Sequence, residues 1–321
     1  MQSQVEYKQE AQYAQDMSPM TALCKAAGDP LRMQILKVLQ QNAYGVLELC
    51  AVFGIQQSAM SHHLKVLSSA SLVATRREGT SIFYRRNELH PNSNLQALLD
   101  SLFQTLDLAV LDLAYTHRLA CINTERSAAS VAFFNQNASR FEQNQDLIAS
   151  WSDYGESIEE FLPKHVSGRE SVLEIGPGYG HFLKALSDLF VQVTALDNSE
   201  EMLERCKSRA IEQGLDNVEF LLGDTQRATG LRPKFDCVSL NMVLHHNPTP
   251  AEIIADCAQL LKINGVLIIT ELCAHDQEWA KQSCGDIWLG FEPKALTRWT
   301  KAAGLTEGNS LYLTQRNGFR S

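Results

Sequence analysis

The sequence predicts an α/β chain in two parts. A small, mostly helical N-terminal part closes in a basic β-hairpin, and a C-terminal part forms a doubly wound, mostly parallel sheet. Three observations carry this. After Val172, short apolar runs alternate with helix-spaced segments, as strands and crossover helices do in a parallel sheet. The first run ends in alternating glycines, Val172-Leu-Glu-Ile-Gly-Pro-Gly-Tyr-Gly180, and a helical pattern starts at once from His181. Ahead of this, helix-spaced stretches between Met20 and Ser68 lead into a pair of short strands rich in arginine.

Composition sets the frame. The chain has 321 residues, too many for one ordinary domain and about right for two. Hydrophobic residues make up 45% and charged residues 20%, as in soluble globular proteins. No stretch approaches the roughly 18 consecutive apolar residues of a membrane span. The Gln- and Glu-rich start has neither the basic n-region nor the apolar core of a signal peptide. Eight cysteines without a C-x-x-C pair read as reduced thiols, and the expected location is cytoplasmic. The net charge of -9 is unevenly spread. Residues 19–90 carry eight Lys/Arg against four Asp/Glu, so that segment is +4 and the remainder -13. A basic module on an acidic body places any polyanion contact at one end.

Taken in order, residues 1–18 are polar and expected to be flexible. Leu23, Ala26, Ala27, Leu31, Ile35, Val38 and Leu39 keep helical spacing on either side of Gly28-Asp29-Pro30, where Asp29 suits an N-cap and Pro30 a first helical position. A short helix over Val46–Phe53 stops at Gly54. The next, Gln57–Ser68, puts Met60, Leu64 and Leu67 on one face and Gln57, Ser58, Ser61, His62 and Lys65 on the other. Leu72–Arg77, a turn at Glu78-Gly79-Thr80 and Ile82–Arg86 read as a hairpin. Helix, turn, polar helix and basic hairpin together make a winged helix-turn-helix over 19–90.

A helix over Asn94–Arg118 carries the stripe Leu95, Leu98, Leu99, Leu102, Leu106, Ala109, Val110 and Leu113, so 91–118 is assigned to dimerisation. Residues 119–165 are expected to form one or two connecting helices with Phe133, Phe134, Phe141, Trp151 and Tyr154 as apolar anchors, a connector or lid. The remaining 166–321 form the sheet domain. Its strands are Val172–Ile175, Val191–Leu196 ending in Asp197, Val218–Leu222 ending in Gly223-Asp224-Thr225, Phe235–Asn241, and Val266–Glu271 after an Asn264-Gly265 turn. A helix over Pro250–Leu261 precedes the last of these. A helix from Pro293 to Ala303 and a hairpin over Leu311–Phe319 are expected to finish the chain.

Glycines at a strand-to-helix turn admit a tight bend and let a ligand approach the backbone. The turn is not the dinucleotide pattern G-x-G-x-x-G, because position 181 is histidine. Asp197, 21 residues after Gly176, ends the second strand, where a carboxylate can grip a ribose diol. In such sheets ligands lie at the carboxyl ends of the strands, where Gly176, Asp197, Asp224 and Asn241 all fall.

The Glu-x-Gly-x-Gly-x-Gly form at 174–180, with these strand-end residues, resembles class I S-adenosylmethionine-dependent methyltransferases over about 172–271. The resemblance implies a cofactor set of Glu174, Gly176, Gly178, Gly180, Asp197, Asn198, Met202, Asp224, Thr225 and Asn241, with Asp224 accepting from the adenine amino group. Gly28-Asp-Pro-Leu-Arg-Met-Gln-Ile-Leu36, Ser61-His-His-Leu-Lys-Val-Leu67 and Arg76-Arg-Glu-Gly-Thr-Ser-Ile-Phe-Tyr-Arg85 resemble ArsR-type repressors. That likeness implies a homodimer whose helix from Gln57 enters the major groove of double-stranded operator DNA. Gln57, Ser58, Ser61 and His62 would reach base edges, while Lys65, Arg76, Arg77 and Arg85 would meet phosphates.

Metal-sensing ArsR relatives carry Glu-Leu-Cys-x-Cys-Asp. Here the segment is Glu48-Leu-Cys50-Ala-Val52-Phe53, and Cys50 alone cannot build a multi-thiolate site. His117 lacks an evident partner set, so no metal is expected. Arsenic methylation is set aside because paired thiols are not evident. For His245 and His246 two readings stand open: a base or pocket wall near the sulfonium, and a structural pair starting a loop.

Together the halves resemble ArsR-type regulators with a methyltransferase-like domain, among them those that answer to S-adenosylhomocysteine and control the methionine cycle. The expected function is a regulator, as a repressor, with S-adenosylhomocysteine or S-adenosylmethionine as effector. The rival is an active small-molecule methyltransferase with an autoregulatory DNA-binding domain. A third reading is a ligand-independent repressor with a vestigial second domain.

Overall fold

Two compact units, Met1–Ile122 and Asn123–Ser321, make up the chain in a computed structural model. It describes residues 17–78, 81–87, 90–230 and 235–313, without the side chains of 78, 140–147 and 282. The expected flexible start therefore lies almost wholly outside the described residues, as do Gly79 and Thr80 of the hairpin turn and the side chain of Phe141.

In the first unit, α1 (Ser18–Ala27) and α2 (Pro30–Val38) flank the predicted break. Asp29 caps α2 by accepting from the Arg32 backbone N–H at 2.9 Å. A short strand β1 (Tyr44–Gly45) leads into α3 (Val46–Phe53), where Glu48 accepts from the Gly45 N–H at 2.7 Å and Gly54, at φ 66°, ends the helix in the left-handed region. Then come α4 (Gln57–Ser69) and the antiparallel strands β2 (Val73–Glu78) and β3 (Ser81–Arg86), with β1 on the far side of β3. Met60, Leu64 and Leu67 of α4 are fully buried against Ile35, Leu36, Leu49 and Val52 in one core.

The continuous helix expected over 94–118 is interrupted. α5 spans Gln96–Asp107, and α6 starts afresh at Leu113 and runs to Ala149. The apolar spacing continues across the break, but two aspartates decide the backbone. Asp107 is held at the end of α5, its carbonyl by Lys37 Nζ at 2.8 Å and its carboxylate by Arg86 at 2.6 Å. Asp112 accepts from the Ala114 N–H at 2.8 Å and so starts α6. Of the stripe, Leu99 and Leu106 enter the core, whereas Val110 and Leu113 are 93% and 83% exposed, as is Leu108 beside them at 86%.

The unit boundary falls within α6. The predicted connector is thus the greater part of α6 followed by α7 (Trp151–His165), the two separated by Ser150, which heads α7 in a reciprocal cap with Asp153.

The second unit holds a five-stranded, wholly parallel sheet in the order β6-β5-β4-β7-β8, made of β4 (Ser171–Ile175), β5 (Gln192–Asp197), β6 (Val218–Leu222), β7 (Phe235–Asn241) and β8 (Leu261–Thr270). The intervening helices are α8 (Leu183–Leu189), α9 (Glu200–Glu212), α10 (Thr225–Thr229) and α11 (Pro250–Leu260). Every residue of β4 is buried, as a central strand covered on both faces requires. The Asn264-Gly265 turn lies inside β8 rather than before it. Asn264 sits at φ 62°, and the register jumps from Phe235↔Leu261 to Cys237↔Val266, so the kink is taken up without ending the strand. After α12 (Trp279–Cys284) and α13 (Pro293–Ala302), residues 305–313 form no strand. The rest of the expected hairpin, 314–319, lies outside the described residues. Among the described residues no helix is long and apolar enough to cross a membrane.

Candidate ligand cavity and nucleic-acid interface

In the first unit, α3, the turn at Gly54 and α4 form the helix-turn-helix. Gln57, Ser58, Ser61, His62 and Lys65 are all exposed, and their spacing sets them on the face opposite the buried Met60, Leu64 and Leu67. The hairpin divides the three arginines. In its register Arg76 opposes Phe83, Arg77 opposes Ile82, and Ala74 opposes Arg85. Opposed residues share a face, as do alternate residues of one strand, and adjacent residues do not, so Arg76 and Arg85 share one face and Arg77 stands on the other. Arg86 is built into the unit: its Nε donates to the Leu36 carbonyl at 2.6 Å, and its guanidinium lies 4.7 Å from the Phe103 ring centre. Cys50 is half-buried, which pushes its thiol up and keeps it protonated.

In the second unit, a cavity open to solvent lies at the carboxyl ends of β4, β5 and β7. Its floor comes from the glycine turn, where the Gly176 N–H donates to the Leu196 carbonyl at 2.8 Å and ties β4 to β5. Gly176 has φ 63°, and a Cβ there would meet Val243 Cγ2 at 2.7 Å. Gly178, at φ 55°, has nothing within 4 Å of a Cβ position, so a ligand can approach the backbone there. Glu174, Gly176, Gly178, Asp197, Asn198, Met202, Asn241 and His246 all line the space, as do Phe134, Trp151 and Tyr154. The other predicted residues are placed elsewhere. Gly180 packs towards Cys206 and Leu183. Asp224 caps α10 by accepting from the Arg227 N–H at 2.9 Å, Thr225 is buried and donates to Asp256, and His245 faces away from the cavity.

The electrostatics are unusual. Burial pushes the Glu174 carboxyl up to about 8 against the favourable hydrogen bond from Asn241 Nδ2, which is 2.9 Å from Oε1. Glu174 Oε2 and Asn241 Oδ1 are buried without a hydrogen-bond partner among the described residues. Burial also raises Asp197, to about 6, opposed by the backbone N–H groups of Ser199 and Asn198. At the inner end His245 is enclosed, with Nδ1 2.5 Å from Glu271 Oε1. Burial opposes its charge, but Glu271 and Asp286 outweigh that and hold it up, at about 9. His246 is driven well below its ordinary value by burial, and the charge of His245 adds to that.

Residues that local sequence patterns do not mark complete the wall. From α6, Ser130 donates to the His246 carbonyl at 3.0 Å, Asn135 accepts from Ser199 Oγ at 2.6 Å, and the Ala138 carbonyl accepts from the Tyr179 hydroxyl. One helix is thereby fastened to the ends of β7, β5 and β4. Trp288 and Phe291, on the loop after α12, are buried and do not line the cavity. The Trp288 indole N–H donates to the Asn247 carbonyl at 2.6 Å, and Phe291 packs on Trp299.

The class is therefore a winged helix-turn-helix unit followed in the chain by a Rossmann-like, methyltransferase-type unit. More particularly, residues 29–75 match the model for bacterial regulatory proteins of the arsR family, and 173–269 match the model described as a methyltransferase domain. The chain carries an arsR-family DNA-binding segment and a class I methyltransferase domain. It is similar to the ubiquinone biosynthesis O-methyltransferase of Coxiella burnetii, 27% identical over 147 residues, which are 42% of this chain and 62% of that protein. The enzymes of the same name from Pasteurella multocida and Stutzerimonas stutzeri are 32% and 24% identical over 120 and 200 residues, covering 35% and 58% of this chain and 50% and 86% of theirs. Among solved structures, the YcgJ protein of Bacillus subtilis is 20% identical with a TM-score of 0.43, over 49% of this chain and 71% of that one. The DhpI-SAM-HEP complex is 22% identical with a TM-score of 0.43, over 60% and 94%.

Proposed function

We propose that the protein is a homodimeric, DNA-binding transcriptional repressor of methionine and methyl-cycle genes. Its second unit binds S-adenosylhomocysteine or S-adenosylmethionine as effector. The observation that carries this is the pair of buried oxygens, Glu174 Oε2 and Asn241 Oδ1, which have no hydrogen-bond partner among the described residues, in a cavity floored by a glycine turn. Such acceptors suit a ligand bearing an ammonium group, and Asp197 at the end of β5 suits a ribose diol. Gly178 leaves room for the ligand against the backbone. With S-adenosylmethionine bound, the sulfonium would supply a transferable methyl group; for an effector it is only a recognition feature. Gln57, Ser58, Ser61 and His62 read base edges, and Lys65 holds phosphates together with Arg76 and Arg85, which share one face of the wing. The exposed Leu108, Val110 and Leu113 support a contact with a second copy.

Coupling requires the ligand to bind two states of the protein differently. Helix α6 suits that role, since residues 130–138 hold the cavity rim while Tyr115, Leu119 and Ile122 pack in the core of the first unit. The test is fluorescence anisotropy of the full chain on DNA upstream of its own gene, at fixed salt, with no ligand, S-adenosylmethionine or S-adenosylhomocysteine. A shift in affinity with one ligand supports the sensor. Specific DNA binding indifferent to both overturns it.

An active small-molecule methyltransferase is the second reading. It is favoured by relatives named O-methyltransferases and by a cavity that Trp288 and Phe291 leave unplugged. Formation of S-adenosylhomocysteine from S-adenosylmethionine with a phenolic acceptor would establish it.

A further inference from the structure

We infer that His245, His246 and Asp286 form a site for one divalent first-row transition-metal ion, in the wall of the cavity. The three side chains come together from the end of β7 and from the loop after α12, and their potential ligand atoms all lie within 4.8 Å of one another. The Asp286 side chain is wholly enclosed, and neither carboxylate oxygen has a hydrogen-bond partner among the described residues. A carboxylate buried without hydrogen bonds is costly and calls for a compensating charge. Its near neighbours are His245 Nε2, 3.9 Å from Oδ1, and His246 Nδ1, 3.7 Å from the same oxygen.

An imidazolium at His245 does not satisfy this carboxylate, because 3.9 Å is too long for an N–H···O bond. Lys281, whose charge also favours ionised Asp286, donates to the Ile287 carbonyl at 3.2 Å. The surroundings of His245 match instead the outer shell of a metal ligand. Glu271 Oε1 takes the Nδ1–H at 2.5 Å, its Oε2 accepts the His245 backbone N–H at 3.2 Å, and its Oε1 also accepts the Leu272 N–H at 2.8 Å. A carboxylate fixed in this way keeps the proton on Nδ1 and leaves Nε2 as the nitrogen that would give up its proton to a metal, and Nε2 is buried without a hydrogen-bond partner among the described residues. With a metal bound both imidazoles would be neutral, and the two carboxylates leave a charge that a divalent ion balances.

The scaffold is preorganised. Gly285 turns the loop at φ 77°, and the N–H groups of Ile287 and Trp288 both donate to the His245 carbonyl, at 2.9 and 3.0 Å. Ligand atoms around a tetrahedral ion with bonds of about 2.1 Å are roughly 3.4 Å apart. The two measured contacts to Asp286 are within about half an ångström of that, while His246 would release its long 3.3 Å contact to the Gly285 carbonyl. Two nitrogens and one carboxylate favour zinc, iron(II) or manganese(II) over calcium, and need no thiolate.

The full chain, purified without chelator, should carry about one equivalent of metal by elemental analysis. Stripping it should lower its melting temperature, and zinc, manganese or anaerobic iron(II) added alone should restore it. Asp286→Asn and His245→Gln should each weaken binding about 10-fold or more, read by competition with a chromophoric chelator, while Cys50→Ser keeps the stoichiometry. A folded wild-type chain that takes up none of the three ions, with a melting temperature indifferent to chelator, overturns the site. Metal retained at full affinity by folded Asp286→Asn places the ion elsewhere and overturns it equally. If the variants fail to fold, the stripped and reloaded wild-type protein decides.

Discussion

The two units present function in opposite ways. In the first, the candidate residues lie on one face of α4 and on the hairpin wing, all exposed except the half-buried Arg76, within a short span of chain. In the second, the candidate groups are carboxylates, amides and imidazoles buried at the ends of three strands, with their hydrogen-bonding capacity incompletely used. An exposed recognition face costs the fold little, because water solvates it when the partner is absent. A buried polar cavity costs stability until its ligand arrives. The second unit should therefore respond strongly to ligand and pH, and the first to salt.

The largest effect should come from Glu174. Its carboxyl is raised to about 8 by burial, so above the ordinary carboxylate range the unfolded chain releases a proton that the folded chain keeps. Stability should fall as pH rises from about 4.5 to about 8 and level off above that. Glu174→Gln should remove that slope and raise the stability of the ligand-free protein at pH 9, by an amount on the order of 3 kcal/mol, while weakening S-adenosylhomocysteine. Thermal melts from pH 5 to 9 check it, and an unchanged slope in the variant would break the comparison.

Next is Gly176→Ala. A left-handed backbone and a Cβ 2.7 Å from Val243 should together cost about 2–3 kcal/mol and abolish adenosyl-ligand binding by calorimetry, leaving DNA affinity in the absence of ligand unchanged. Loss of DNA binding as well would mean that the two units do not fail independently.

The contrast also explains what the sequence disclosed. Helices α3 and α4 and the wing follow from local spacing, because each buries one face and caps itself within a few residues. Strand ends and the glycine turn were equally legible, since backbone geometry demands glycine at Gly176. The break at 108–112 was not: apolar spacing runs through it, and the deciding Arg86–Asp107 bond spans 21 residues. Asp224 shows the ambiguity of an aspartate after a strand, which can face a ligand or cap the next helix, and here it caps. Ser130 against His246, 116 residues apart, and Asp286 beside His245 meet only through tertiary packing and leave no pattern in sequence.

On the exposed side, His62→Ala on α4 should cost about 1–3 kcal/mol of operator affinity and relax specificity at one base pair, read by anisotropy on single-substituted sites.

The smallest effect sharpens the comparison most. Arg85 and Arg77 belong to the same hairpin and are both exposed, yet the register sets them on opposite faces. Only one face of a two-stranded wing lies against a given phosphate track. Arg76 shares its face with Arg85, so that face carries two cations where the other carries Arg77 and Arg86, the latter buried and held by Asp107. Arg85→Ala should therefore lower the slope of log affinity against log salt by about 1 and weaken all DNA sequences alike, while Arg77→Ala leaves the slope within error. Equal losses from both would mean that the wing lies edge-on along the backbone, so that its faces are not distinguished. A loss from Arg77 alone would turn the wing over and make the face of Ile82 the one that meets DNA.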